Sequence, residues 1–357
     1  MRANPTGLRR RTRAGKVSAA GYLTALRKGV GPLAVLLALT FPFLVSQYLV
    51  HLGVLISIYT ILTLSLNLVS GYAGQLALGH AAFYALGAYA SALLTLSGHP
   101  FWLGLLAAGV VAALGGLVVG LPSLKSSGFY LGMITLGFGE IVKLVLLNWD
   151  SLTRGPMGLT NIPPAKLWGY TFGSVASFYY LALLILALTG GAVHRLVNSR
   201  VGEALVAIRE DEVAAKAMGI DTGYHKVLAF TVSGFLAGLA GSLYAHYISF
   251  INPASFGSGE SFLIVSMTLL GGASLGGSAL GAATLLLVPE VFRALADYRL
   301  LFYGAVLILL MVFRPNGLIP ERRLRYRGIL ERLRGAEPVS GRDSGAGPGY
   351  RAPAEEG

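Results

Sequence analysis

The sequence predicts an all-α polytopic membrane protein with about 8–10 transmembrane helices, including a broken or re-entrant helix pair. Of the 357 residues, 54% are hydrophobic and 12% are charged, whereas a typical soluble domain carries about 25% charged residues. The 48 glycines are nearly twice the average frequency of about 7%. The apolar residues also come in runs of about 18 or more, long enough to cross a hydrocarbon core about 30 Å thick.

Apolar segments of about 20 residues follow one another along the chain. They are residues 30–50, 52–70, 75–97, 101–121, 130–148, 175–194, 227–250 and 299–313. A further apolar block at 261–289 fits either one span or a pair of short helices. Its interior carries the glycines Gly271, Gly272, Gly276, Gly277 and Gly281.

The charged residues divide the chain into three parts. Residues 1–28 hold eight Lys or Arg and no acid, residues 195–226 hold five bases and five acids, and residues 314–357 hold nine bases and six acids. We therefore predict a disordered basic cytoplasmic tail at 1–28, a transmembrane domain at 29–320 with a cytoplasmic loop at 195–226, and a cytoplasmic tail at 321–357 that is disordered toward its end. Because the net charge of +12 comes from the ends of the chain, we predict no nucleic-acid partner.

The same charges orient the predicted helices. With the basic first tail inside, successive crossings place residues 150–174 outside and the loop 195–226 inside. A single crossing at 261–289 would leave the basic C-terminal part outside. We therefore expect 261–289 to be a broken or re-entrant helix pair that returns to the side it entered from, so that both termini are cytoplasmic.

A second stretch interrupted by glycines lies in the first half of the chain, with Gly71, Gly74, Gly79 and Gly87. Paired interruptions in the two halves of a transporter indicate segments that handle the solute, because unwound helices expose backbone dipoles. Close helix packing through small residues is the alternative for each glycine.

One pair of ionisable residues lies within a predicted span. Glu140 and Lys143 share a helix face at a spacing of three residues. Charged groups inside a membrane are costly, so they either compensate each other and hold helices together or line a path for a solute.

No catalytic constellation is evident in the sequence. There is no cysteine, and the six histidines are scattered singly. The segment GGASLGGS at 271–278 has the glycine spacing of a phosphate-binding loop, but Gly277 stands where the lysine is needed. We predict a chain that is not an enzyme and that holds no cofactor or metal of its own.

The cytoplasmic loop predicts two short helices with an elbow. Apolar residues recur at helical spacing over 200–219, and the acidic run Glu210, Asp211 and Glu212 interrupts them. Gly219 suits a left-handed helix stop. A helix pair of this kind has to cover its apolar side against a partner or its own bundle. The alternative is a helix that lies on lipid, which the balanced charge of the loop disfavours.

Several separated stretches, in the right order, carry a family resemblance. They are GYAGQLALGHAAF at 71–83, GFYLGMITLGFGEIV at 128–142 followed by LTRGPMGLTNIP at 152–163, DEVAAKAMGI at 211–220 and FRPNGLIP at 313–320. Over about 30–320 the chain resembles the branched-chain amino-acid permeases of ATP-binding-cassette (ABC) importers.

The resemblance implies a permease that pairs with a second, related permease in the bilayer of the bacterial cytoplasmic (inner) membrane. Two cytoplasmic ATPases would bind ATP and Mg and hydrolyse the ATP, and an extracytoplasmic solute-binding protein would deliver the cargo. The implied function is the import of branched-chain amino acids. An ABC permease for urea or short amides is one alternative, and a secondary transporter or channel that works without ATPases is another.

The resemblance also assigns residues to two roles. Coupling to the ATPases would fall on residues 200–219, with Glu203, Arg209, Glu210, Asp211, Glu212, Met218 and Gly219. The candidates for the translocation path are Gly71, Tyr72, Gly74, Gln75, His80, Phe83, Thr135, Phe138, Gly139, Glu140, Lys143, Gly271, Gly272, Gly276 and Gly277.

Overall fold

The computed structural model describes residues 38–167 and 169–291. The predicted tails at 1–28 and 321–357 and the apolar segment at 299–313 lie outside the described residues. The predicted segment at 30–50 is described from residue 38 onward, and residues 38–44 are helical.

Helices make up most of the described chain. They are α1 (Gln47–Asn67), α2 (Ala81–Leu96), α3 (Phe101–Gly120), α4 (Gly128–Asn148), α5 (Val175–Val197), α6 (Arg200–Glu210), α7 (Glu212–Ala217), α8 (Thr222–Ile248), α9 (Ser258–Gly271) and α10 (Leu275–Val291). The strands are β1 (Leu159–Thr160), β2 (Lys166–Leu167), β3 (Tyr170–Thr171) and β4 (Phe250–Ile251).

Five helices of the described residues are long and apolar enough to cross a membrane: α1 with its extension to Tyr72, α3 with the turn that follows it, α4, α5 and α8. Together with the shorter apolar helices α2, α9 and α10, they confirm the predicted all-α polytopic membrane fold. Most of α1 and α8 is buried within the bundle, whereas α3, α4 and α5 expose much of their apolar surface. The bundle therefore has α1 and α8 at its centre.

Glycines set the close approach of α8 to its neighbours. A Cβ at Gly87 of α2 would overlap the backbone of Gly238 of α8, and a Cβ at Gly116 of α3 would overlap the Phe230 carbonyl of α8. Small residues let two backbones pack in direct contact, which is how membrane helices gain van der Waals energy. At Gly87 the structure therefore favours the packing alternative.

Several predicted boundaries were wrong by a few residues. Helix α1 begins at Gln47 instead of 52, and α2 begins at Ala81 instead of 75 because residues 74–79 are not helical. Helix α8 begins at Thr222, where the Asp221 carboxylate accepts a hydrogen bond from the Tyr224 amide at 3.0 Å. The loop predicted at 195–226 is shorter than expected, since α5 continues to Val197 and α8 starts within it.

The block at 261–289 is a helical hairpin. Helix α9 ends at Gly271, the φ of +82° at the next residue, Gly272, turns the chain, and α10 returns beside α9. Gly271 touches Gly277, and Gly281 touches Met267, so the two helices run antiparallel. The predicted broken pair is confirmed, and its break lies at residues 272–274. Gly276 and Gly277 are helical residues of α10.

The two connecting regions lie at opposite ends of α8. Strand β1 pairs with β4, which follows the end of α8, through Leu159 and Ile251. Helix α7 lies at the start of α8. The sidedness predicted from the charges, with 150–174 and 195–226 on opposite faces, agrees with this arrangement.

Candidate functional site

The first glycine-interrupted stretch is an unwound segment at the end of α1. The helix continues as one π-helical turn, Leu68–Tyr72, and the chain then runs without helix to Gly79. Gly74 has a φ of +66°, which favours glycine, and the Gln75 amide donates to the Val69 carbonyl at 2.9 Å. We call residues 68–79 the first break and residues 272–274 the second break.

The two breaks lie against each other. The side-chain amide of Asn67 donates to the Gly272 carbonyl and to the Ser278 hydroxyl, each at 3.2 Å. The Tyr72 hydroxyl donates to the Ala273 carbonyl at 3.1 Å. Segments about 200 residues apart in sequence therefore form one region of irregular backbone inside the bundle. Irregular backbone at membrane depth is tolerated where protein or a water-filled cavity covers it.

Three buried polar atoms at this junction have no hydrogen-bond partner among the described residues. They are Asn67 Oδ1, Gln75 Oε1 and His80 Nδ1, and each side chain is no more than 6% exposed. The other polar atom of two of these side chains does have a partner. Gln75 Nε2 donates to the Ala73 carbonyl, and His80 Nε2 lies 2.7 Å from Ser65 Oγ. Buried polar atoms without partners are costly, so the junction suits water or a polar solute.

Helix α4 packs against the end of the first break. The Thr135 hydroxyl accepts a hydrogen bond from the Leu78 amide at 2.9 Å, and a Cβ at Gly79 would overlap the Thr135 carbonyl. Gly139 lies beside Gly79. This approach requires glycine at position 79 and brings Thr135 and Gly139 to the break.

Aromatic rings lie next to this contact between α4 and the first break. Phe83 of α2 packs on His80 with ring centroids 5.5 Å apart and on Phe138 of α4 at 5.9 Å. The path candidates Phe83 and Phe138 therefore form an apolar wall next to the imidazole of His80.

Glu140 and Lys143 form the predicted pair farther along α4. Lys143 Nζ lies 3.4 Å from Glu140 Oε2, and both side chains are about one-third exposed. Lys143 Nζ also lies beside Gly257, which precedes α9. In the described part of the chain, no hydrogen bond or ion pair joins this pair to either break.

The predicted elbow of the loop at 195–226 is confirmed. Between α6 and α7, Asp211 is extended, and its carboxylate accepts hydrogen bonds from the Val213 and Ala214 amides at 2.9 and 3.0 Å. Gly219 has a φ of +83°, and the Ile220 amide donates to the Ala215 carbonyl at 3.1 Å. This is the predicted left-handed helix stop.

Glu212 holds α7 to the start of α8. Its carboxylate accepts from Lys226 Nζ at 2.6 Å and from the Thr222 hydroxyl at 3.3 Å, and it lies 3.2 Å from Lys216 Nζ. Partial burial raises the pKa of Glu212, but the hydrogen bonds and charges of Lys226 and Lys216 outweigh burial and hold that pKa below its usual range. Lys226 is 2% exposed, so the bridge lies against the bundle. The sequence assigned Glu212 to a partner contact, and the structure gives it partners within the chain.

Arg209 reaches from α6 to the first break. Its Nη1 donates to the Gly71 carbonyl at 2.5 Å, and its aliphatic stem lies directly against Gly74. Its Nη2 also donates to Glu210 at 3.3 Å. The sequence placed Arg209 among the contacts to an ATPase, whereas in the structure its guanidinium binds the unwound backbone of this chain.

Other residues of the helix pair face outward. Met218 is 83% exposed and Val213 is 78% exposed, although both are apolar. Glu210 and Glu203 are also exposed. Exposed apolar side chains ringed by charges are typical of a surface that binds another protein.

Sequence reasoning missed two polar residues that the structure places inside the bundle. Asn67 joins the two breaks, and its amide within the apolar segment 52–70 was an available signal. Glu260 accepts a hydrogen bond from the Tyr59 hydroxyl at 2.6 Å. Because Glu260 directly precedes the apolar block at 261–289, its position in the sequence did not indicate a partner on another helix.

Comparison with known proteins agrees with this architecture. The family model described as "Branched-chain amino acid transport system / permease component" matches residues 48–311. The high-affinity branched-chain amino acid transport system permease protein LivM of Escherichia coli (strain K12) is 38% identical over 312 residues, covering 80% of this chain and 73% of that protein. The probable LivM of Methanocaldococcus jannaschii is 28% identical over 331 residues, covering 78% and 94%.

A second permease of such systems is also similar. The high-affinity branched-chain amino acid transport system permease protein LivH of Salmonella typhimurium is 25% identical over 291 residues, covering 74% of this chain and 91% of that protein. No solved structure matches the chain. The extent of the family match and the identity to LivM place this chain in the family of permease components of branched-chain amino acid transport systems.

Proposed function

We propose that this chain is a transmembrane permease subunit of an ABC importer for branched-chain amino acids. A second, related permease completes the translocation path, two cytoplasmic ATPases bind ATP and Mg, and an extracytoplasmic solute-binding protein delivers the cargo. The chain lies in the bacterial cytoplasmic (inner) membrane with both termini in the cytoplasm. Hydrolysis of ATP belongs to the partner ATPases and not to this chain.

The contact between Arg209 and the Gly71 carbonyl carries the proposal. Helix α6 is not one of the long apolar helices, and the first break lies at the C-terminal end of α1. A hydrogen bond to a charged donor joins them directly, and such bonds are about twice as strong as neutral ones. A movement of α6 that an ATPase imposes would therefore act on the backbone of the break.

The exposed face of the helix pair supports ATPase docking. Val213 and Met218 present apolar surface. Glu210 presents a charge, and its side chain is 53% exposed. The Glu212–Lys226 bridge fixes α7 to α8, so the docking surface is rigidly attached to a transmembrane helix. Force on this surface would reach the bundle along two routes, through Glu212 and through Arg209.

The cargo assignment rests on the family and on the branched-chain amino acid transport systems to which LivM and LivH belong. The junction of the two breaks adds buried polar atoms in an otherwise apolar bundle. A solute with polar and apolar parts suits this mixture. A leucine molecule, with two charged groups and a branched alkyl side chain, has that character.

Purification of the chain from its native membrane tests the assembly. We expect two ATPase chains and a second permease to co-purify, and the Glu210→Lys, Asp211→Lys double variant to insert normally but to lose much of the ATPase, since it reverses the charges at the elbow. Normal assembly and transport in the double variant would refute the coupling role.

Deletion of the gene tests the cargo. Uptake of leucine, isoleucine and valine should fall, and unchanged uptake with the partner genes intact would reject the substrate assignment. Calorimetry on the solute-binding protein separates the alternatives, because binding of urea or short amides in place of these amino acids would change the cargo. Transport that persists without any ATPase would establish a secondary transporter or channel instead.

A further inference from the structure

A carboxylate inside the bundle forms no ion pair in the described part of the chain. Glu260 is in the first turn of α9, and its side chain is half-buried. The Tyr59 hydroxyl of α1 donates to Glu260 Oε1 at 2.6 Å. None of the ion pairs among the described residues includes Glu260. An anionic side chain among membrane helices is costly without a counter-charge, and such residues mark paths for ions or solutes.

Tyrosines from three helices lie around the start of α9, where this carboxylate is. Tyr84 of α2 and Tyr244 of α8 have ring centroids 5.4 Å apart, and both rings pack on Phe256, four residues before Glu260, at 5.1 and 6.2 Å. We call Tyr59, Tyr84, Tyr244 and Phe256, together with the Glu260 carboxylate, the enclosure. Aromatic faces attract cations within about 6 Å of the ring centroid, and enclosures of this kind recognise ammonium groups.

The Tyr84 hydroxyl supplies an independent observation. Tyr84 is 1% exposed, and its hydroxyl has no hydrogen-bond partner among the described residues. Burying a hydroxyl without a partner is costly, so the fold alone gives no reason for tyrosine instead of phenylalanine here. A polar ligand beside Glu260 would satisfy this oxygen.

The enclosure lies next to the proposed path and to a positive charge. The Ser261 hydroxyl accepts a hydrogen bond from the Ala81 amide at 3.0 Å, which places the start of α9 beside the start of α2, where the first break ends. Lys143 Nζ lies beside Gly257, at the N-terminus of α9. An ammonium group and a helix N-terminus both favour a carboxylate. Lys143, which also pairs with Glu140, and Glu260 therefore both lie at the start of α9, beside the end of the first break.

We propose that Glu260 binds the α-ammonium group of the transported amino acid, with Tyr84 and Tyr244 enclosing it and Lys143 facing its α-carboxylate. This inference rests on the proposed function, since it names the group that recognises the cargo. Tyr59 acts as a positioning residue, because its hydrogen bond holds one oxygen of Glu260 in place.

Ligand binding to the complete detergent-solubilised transporter tests the site without transport. The probes are leucine, 3-methylbutylamine, which lacks the carboxylate, and 4-methylpentanoate, which lacks the ammonium group. We expect leucine and the amine at tens of millimolar to raise the thermal unfolding temperature of the wild-type complex, and the acid to have little effect. Equal stabilisation by the acid and the amine would overturn the proposal.

Two variants localise the binding, and a third is the control. Glu260→Gln keeps the shape and removes the charge, so stabilisation by the amine should disappear. Tyr84→Phe removes a hydroxyl that has no partner, so the unliganded complex should be at least as stable as wild type while the effect of leucine weakens severalfold. Tyr179→Phe removes a hydroxyl bonded to the Ala38 carbonyl elsewhere in the bundle and should leave ligand binding unchanged. Stabilisation by the amine in Glu260→Gln that equals wild type would reject the site.

Uptake separates this inference from the proposed function. At saturating loaded binding protein, Glu260→Gln should reduce leucine uptake at least tenfold, while the binding-protein concentration for half-maximal uptake stays unchanged. If wild type takes up leucine with ATP and Glu260→Gln does so at the same rate, the ammonium site is wrong and the proposed function stands. If the wild-type complex takes up no leucine but binds the amine through Glu260, the proposed function is wrong and the cation site stands.

Discussion

Arg209 gives the sharpest prediction, because the structure assigns it a partner inside the chain. Its guanidinium donates to the Gly71 carbonyl, and 24% of its side chain is exposed. Arg209→Ala removes this bond and opens space beside Gly74. Helix α6 should still form, since its buried residues Leu205 and Ile208 are untouched. The change should therefore weaken the connection between the helix pair and the first break without unfolding either one.

The size of the effect follows from the type of bond. Hydrogen bonds that involve a charged group contribute about 1.5–3 kcal/mol. Because water reaches part of the Arg209 side chain, we expect the lower end, about 1.5 kcal/mol, which corresponds to roughly a tenfold shift in the equilibrium between connected and disconnected helix pair. Arg209→Lys retains the charge but not the planar donor geometry, so it should give an intermediate shift.

The ratio of leucine transported to ATP hydrolysed measures this connection in the reconstituted transporter. We expect Arg209→Ala to lower the ratio roughly tenfold while the same amount of ATPase co-purifies. Arg195→Ala, which removes an exposed arginine at the end of α5, is the matched control. An unchanged ratio in Arg209→Ala would refute the connection. Loss of the ATPases from the Arg209→Ala complex would instead make Arg209 a docking residue, as the sequence predicted.

Three further predictions concern the helix pair and the first break. Glu212→Gln leaves the buried ammonium of Lys226 without its anion and should destabilise the loop by about 3 kcal/mol, measured as faster limited proteolysis. Because the folded pKa of Glu212 lies below its usual value of 4.5, its contribution is complete above that value and is lost as pH falls through the folded pKa. Protease protection should therefore be constant from neutral pH down to about 4.5 and should decrease as the pH falls further. Gly79→Val should overlap the Thr135 carbonyl and abolish transport, whereas Gly137→Val, where nothing lies within 4 Å, should be tolerated.

Three results would contradict these predictions. Wild-type proteolysis in Glu212→Gln would mean that the bridge contributes nothing to the loop. An acid-induced loss of protection that persists in Glu212→Gln would come from another group. Full transport by Gly79→Val would show that α4 and the first break can separate at no cost.

The sequence predicted features that local chemistry determines. The elbow at Asp211, the helix stop at Gly219 and the Glu140–Lys143 pair each depend on residues within a few positions of one another. Hydrophobic runs likewise located the long helices, because length and apolarity suffice to identify a span. A break within 261–289 was predicted from glycine content together with the sidedness of the charges.

The sequence did not predict the partners of polar groups across the bundle. Arg209 and Gly71 are 138 positions apart, and Glu260 and Tyr59 are 201 apart. An exposed arginine and an arginine that binds an unwound backbone have the same local pattern, so only the packed fold distinguishes them. Glycine content did not locate the break within 261–289, because it does not separate an unwound segment from a tightly packed helix, as Gly277 shows.

ATP-driven uptake in proteoliposomes tests the central claim most directly. The vesicles contain this chain, the second permease and the two ATPases, with loaded binding protein outside and ATP inside. We predict that labelled leucine accumulates against its gradient when ATP and Mg are present and does not accumulate when a non-hydrolysable analogue replaces ATP. Accumulation in vesicles that contain this chain without the ATPases would contradict the proposed function, as would the absence of leucine uptake by the complete, ATP-hydrolysing complex.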